Sequence, residues 1–206
     1  MREFAITRNV CRMLSPLPGS GAAEFEATLQ REDGWTGLFR VAGDGFVTPA
    51  LAGALQRKRL WRRLPEEASK YLEAIRELNA ERNDTLRREL HCVIAKHNGI
   101  GVEPLLLKGA ISLATDQYPG CRDRVVGDLD LLVPEEWLVE CFRLLAQRPY
   151  AVHGADDPKF DENYHQAPPL LHESIPVMVE LHRHFVKPHI RHLLPTQEAW
   201  DASEAV

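Results

Sequence analysis

Two hydrophobic periodicities divide the chain. From Ala22 to Asn98 the apolar positions recur at helical spacings, whereas beyond about Val102 short runs alternate between apolar and polar residues. Between Ala22 and Leu64 the apolar positions Phe25, Leu29, Trp35, Leu38, Phe39 and Ala42 are punctuated by Gly34, Gly43, Gly45 and Pro49, which predicts several short helices. Pro65 restarts a helical stretch with a core stripe at Leu72, Ile75, Leu86, Leu90, Val93 and Ile94. Asn98-Gly99 is its stop, and a bend or break is expected between Asn79 and Thr85. Residues 1 to 20 hold only a short mixed apolar segment that runs into the turn-rich linker Ser15-Pro16-Leu17-Pro18-Gly19.

In the second half, Leu105 to Leu107 reads as an apolar strand, followed by a helix over Ala110 to Tyr118 that Pro119 and Gly120 end. A second strand over Asp128 to Val133 places Asp128, Asp130 and Leu132 on one face and Leu129, Leu131 and Val133 on the other. Pro134 with Glu135 and Glu136 starts a helix, because proline lacks only an N–H that would be orphaned there and acids suit the helix N-terminus. Tyr150 to His153 is a further strand and Gly154 to Glu162 an acidic loop. Residues 163 to 185 form a hairpin turning near Ile175-Pro176, with Met178, Glu180, His182 and His184 on one face of its second arm. A weak helix, QEAWDASEA, lies near the end.

These elements carry a recognisable chemistry. Carboxylates at i and i+2 of a strand start about 6.6 to 6.8 Å apart and can converge on one or two hard cations, as in-line nucleotidyl transfer requires. Asp128 and Asp130 are therefore candidate metal ligands expected to face a cleft, and Glu180 a third acid from a neighbouring strand. Upstream, Lys108 and Gly109 form a strand-to-helix junction, where glycine allows close backbone approach and free helix N–H groups favour an anion. The plainer readings are a solvated edge strand for the aspartates, a surface residue for Glu180 and a simple turn for Lys108-Gly109.

Composition narrows the choice. The 44% hydrophobic content suffices for an ordinary core. The net charge of -5 hides an excess of positive charge over residues 1 to 100 and of negative charge beyond them, so the half with the aspartates is the acidic one. That balance suits a site attracting Mg2+ and disfavours a nucleic-acid grip. The basic run QRKRLWRR over Gln56 to Arg63 reads as a solvated helix face in preference to a nucleic-acid or membrane contact. Cys11, Cys92, Cys121 and Cys141 show no paired spacing and are expected as reduced thiols in a cytoplasmic protein, with no signal peptide and no membrane span. Seven of the nine histidines lie between His153 and His192; His182 and His184 could share zinc, but surface or supporting roles are the preferred reading.

Leu107-Lys108-Gly109, Arg124, Asp128-Leu129-Asp130-Leu131-Leu132-Val133 and Glu180-Leu181-His182 together resemble the uncharacterised nucleotidyltransferases of the DNA polymerase beta-like superfamily, over roughly residues 35 to 185. Where the wider superfamily has Gly-Ser, this chain has Gly109-Ala110 with Ser112 further on. The resemblance implies an α+β fold: a mixed sheet packed with helices over residues 101–206, preceded by a helical region over 1–100. The family usually continues into a further helical region, which a chain ending at Val206 would lack. It implies transfer of a nucleoside monophosphate from an NTP, ATP being favoured, to a small-molecule or protein acceptor with release of pyrophosphate. Two Mg2+ (or Mn2+) ions would be held by Asp128, Asp130 and Glu180. Lys108, Gly109, Ser112 and Arg124 would bind the nucleotide, and an oligomer is compatible. The alternatives are a non-catalytic module of the same fold and an antitoxin-like protein that nucleotidylates a partner.

Overall fold

The computed structural model describes residues 2–17, 19–31, 34–115, 122–153 and 164–205. The chain divides into two compact units, Met1–Asn83 with Tyr118–Val125 and Asp84–Gln117 with Val126–Val206. The division passes through helix α5 (Glu66–Asn98), which runs unbroken across the stretch where a bend was expected. Among the described residues no helix is long and apolar enough to cross a membrane.

The first unit is helical. Short helices α2 (Ala22–Leu29), α3 (Gly34–Asp44) and α4 (Thr48–Arg57) appear where the punctuated stripe placed them. The N-terminal segment, read as mixed, is helix α1 (Arg2–Leu14): Ile6, Val10 and Met13 follow at helical spacing and are all buried. They join Phe25, Leu38, Leu51, Leu55 and Leu72 in one apolar core.

A polar network holds the segment that precedes the double-aspartate strand. Buried Asp123 accepts hydrogen bonds from Arg57 Nη1 at 2.8 Å and from Arg76 Nε and Nη2 at 3.1 and 2.9 Å. Helix α4 passes so close that a Cβ on Gly53 would meet Asp123 Oδ2 at 1.9 Å, so glycine is required there. Asn79 Nδ2 donates to the carbonyls of Arg122 and Arg124, and Asn83 Nδ2 to that of Arg124. Asparagine weakens helices by competing for backbone partners, but these two aim outward at another segment, so α5 continues. The basic run is mostly structural: Arg57 serves Asp123, Lys58 Nζ donates to the Leu17 and Ser20 carbonyls, and Leu60 is buried.

The second unit is α+β. Among the described residues five strands, β1 (Leu105–Leu106), β2 (Leu129–Leu132), β3 (Tyr150–Val152), β4 (Leu170–His172) and β5 (Met178–His182), form one sheet in the order β1-β2-β5-β4-β3. Only β2 and β5 pair in parallel; the other neighbours are antiparallel. Strand β2 is therefore interior and all four of its residues are buried, which removes the solvated-edge reading. Helix α6 (Lys108–Ala114) packs against β2. The helix expected after Pro134 is a 3-10 turn (Glu135–Trp137) leading into α7 (Leu138–Leu145), and Thr196–Asp201 forms α8. Leu90, Val93, Leu129, Leu131, Phe142, Val179 and Leu181 belong to one core cluster of this unit. The expected acidic loop and the end of the helix over 110–118 lie outside the described residues.

Candidate functional site

The parallel pairing of β2 with β5 places Asp130 opposite Glu180 and Leu132 opposite His182. Because strand residues two apart share a face, Asp130, Glu180 and His182 converge on one side of the sheet. One ligand-type atom from each of the three lies within 4.8 Å of the other two.

Asp130 is fully buried, not spread on the wall of an open cleft. Its Oδ1 accepts from Lys108 Nζ at 2.6 Å and lies 2.8 Å from His182 Nε2, so the ammonium and the imidazole cover it. Burial would raise its pKa, but hydrogen bonds from His182 and Lys108 and the Lys108 charge win and hold it below the usual carboxylate range. Glu180, partly exposed, behaves oppositely: burial first, then the charges of Asp130 and Asp128, push its pKa up. Asp128, half-buried just before β2, is likewise raised by burial and by Asp130. The Lys108 pKa is raised because contact with Asp130, aided by the charges of Glu180 and Asp128, outweighs desolvation.

Lys108 has a left-handed φ of 46°, a sparsely populated conformation for a residue with a side chain. Its neighbour Gly109 is fixed by packing: a Cβ there would meet Val126 Cγ1 at 2.7 Å. The glycine thus lets α6 lie against Val126, a packing service beside the close ligand approach expected of it. Ser112 is buried and its Oγ donates to the Gly109 carbonyl at 2.7 Å, within α6 itself. Arg124 belongs to the first compact unit, with its carbonyl held by Asn79 and Asn83.

Three carboxylates against one ammonium leave this cluster short of positive charge. Asp130 Oδ2 and His182 Nδ1 are moreover buried without a hydrogen-bond partner among the described residues. Burying charge and polar atoms this way is costly unless they are paired or coordinate a cation. The donor set therefore fits a divalent ion. His165 stands beside the set, its ring 5.4 Å from that of His182, while His184 Nε2 lies 3.3 Å from Glu135 Oε1. Burial leads in lowering the pKa of both.

His182, expected in a surface or supporting role in preference to a zinc pair with His184, stands in the centre itself, on the face where the alternation also put Glu180. A lone strand histidine carries little weight until the strand beside it is known. In comparisons with known proteins, the family model described as an uncharacterised nucleotidyltransferase matches residues 31–206. Neither the curated proteins nor the solved structures returned a match.

Proposed function

We propose that this chain, which belongs to the uncharacterised nucleotidyltransferase family matched over residues 31–206, moves a nucleoside monophosphate from an NTP to an acceptor hydroxyl or phosphate, releasing pyrophosphate. The observation that carries the reading is the register pair Asp130 and Glu180, joined on one face by Lys108 and His182. Asp128, Asp130 and Glu180 are the residues that would hold two Mg2+ or Mn2+ ions. Such ions supply charge stabilisation to the triphosphate and make the acceptor hydroxyl more acidic.

The chain's own groups divide the remaining work. Glu180, with its raised pKa and partial exposure, is suited to accept the acceptor's proton at its carboxylate. Lys108 is a point charge on a flexible stem, its side chain more than half exposed, and would turn from Asp130 to phosphate oxygens. Gly109 and Ser112 shape the first turn of α6 that presents it. For Arg124 the motif alone carries a phosphate-binding role, suited to its bidentate fork. We take ATP as the donor, a small molecule or protein as the acceptor and the cytoplasm as the compartment.

The Lys108–Asp130 contact also favours a second reading, a non-catalytic module in which lysine permanently supplies the counter-charge. Calorimetry with a non-hydrolysable NTP and Mg2+ or Mn2+ separates the two. The enzyme reading predicts nucleotide binding that needs the metal and is lost in Asp130→Asn. The module reading predicts none in the wild type and metal binding gained in Lys108→Ala.

A further inference from the structure

Imidazole nitrogen stands among the carboxylates of the acidic centre, an unusual donor for a site meant for Mg2+. His182 is 1% exposed, and its Nε2 lies 2.8 Å from Asp130 Oδ1 and 3.7 Å from Glu180 Oε2. Two donors sharing one ion at bond lengths of about 2.0 to 2.2 Å stand roughly 2.8 to 3.6 Å apart, from octahedral to tetrahedral angles. The first spacing stands at the lower limit of that range and the second just beyond its upper one, so a small adjustment brings Nε2, Oδ1 and Oε2 onto a common ion. The ring is fixed by its strand: β5 pairs His182 with Leu132, and the Val133 N–H donates to the His182 carbonyl at 2.9 Å. Beside Asp130 Oδ1 the ring proton sits on Nε2; a shared cation would replace that hydrogen bond, and Nδ1, which nothing among the described residues holds, is open to carry the proton and leave the Nε2 lone pair for the ion.

Donor type then decides which ion is preferred. Mg2+ demands near-ideal octahedral oxygen ligands and gives up its waters reluctantly, whereas first-row transition dications accept imidazole. We propose that His182 is an inner-sphere ligand through Nε2, beside Asp130 and Glu180, and that this nitrogen makes the centre select a transition dication such as Mn2+ over Mg2+. The inference rests on the proposed metal-binding role of the two acids.

The test uses Mn2+ with the full chain and needs no substrate. Pulsed electron paramagnetic resonance of the Mn2+-loaded wild type should show modulation from a directly bound 14N. That signal should change on labelling histidine with 15N, a control that requires no variant. His182→Gln, which keeps a donor near Asp130, should lose the signal. Calorimetry should show its Mn2+ affinity falling by at least about tenfold, the scale on which perturbing a metal's ligand shells acts, while Mg2+ affinity changes little. Mn2+ bound without nitrogen modulation would overturn the inference and leave His182 as a hydrogen-bond partner that positions Asp130, the acids keeping their metal. Absence of any Mn2+ binding would overturn both the inference and the metal reading beneath it.

Discussion

Asp130 and Glu180, remote in sequence, are direct register partners on two adjacent parallel strands, yet the site treats their ionisation oppositely. Asp130 is held ionised by His182 and Lys108, and Glu180 is pushed towards its protonated form by burial and by Asp130. A carboxyl whose folded pKa is lowered adds stability above its unfolded pKa, and one whose folded pKa is raised loses its contribution as pH climbs through that value. At neutral pH, Asp130→Asn should therefore lower the thermal midpoint, whereas Glu180→Gln should leave it unchanged or raise it. Both should cut transfer by at least about a hundredfold, since a catalytic metal supplies several kcal/mol. Paired melting curves and turnover measurements check this; equal midpoint losses would show that the two acids are not electrostatically opposed.

Asp123 is the keystone of the first unit. It is buried against Arg76, which is itself almost fully enclosed. Asp123→Ala should cost about 3 to 5 kcal/mol, the range for leaving one partner of a buried ion pair uncompensated. Urea denaturation followed by a probe in that unit measures it, and a cost below about 1 kcal/mol would mean that the arginine finds water.

His97 closes α5 with its ring fully buried, Nδ1 2.8 Å from the Val93 carbonyl and Nε2 without a partner among the described residues. Burial lowers its pKa, partly offset by that carbonyl and reinforced by the charge of Lys96. The native state then binds fewer protons than the unfolded one, so stability is complete above the unfolded value near 6.5 and falls as pH drops towards the lowered folded value. Denaturant midpoints of the wild type should fall between neutral and mildly acidic pH, and His97→Gln should flatten that part of the profile. An unchanged slope in the variant would assign the acid sensitivity elsewhere.

Local pattern carried much of this structure. The apolar stripe and the Asn98-Gly99 stop foretold α5, and period-2 alternation foretold β2 and β5 with Glu180 facing away from Val179 and Leu181. What eluded it depends on distant neighbours. That β2 is interior, with Asp130 enclosed, follows from β1 and β5 flanking it, and no residue within β2 announces them. That Gly109 also makes room for Val126 was not legible, because Val126 is supplied by another segment. The service of Arg57 and Arg76 to Asp123 spans 66 and 47 positions, beyond any motif. His182 was visible on the correct face, but only the pairing of β5 with β2 brings it to Asp130.

Nucleotidyl transfer moves the α-phosphate of the donor, and parallel incubations with α-labelled and γ-labelled ATP, a divalent metal and cell extract as the source of acceptor follow it. With the wild type, α-label should become covalently attached to an acceptor while γ-label appears in pyrophosphate, and Glu180→Gln should do neither. Covalent attachment of γ-label, or no transfer of either label by the wild type under conditions where it binds metal and nucleotide, would contradict it.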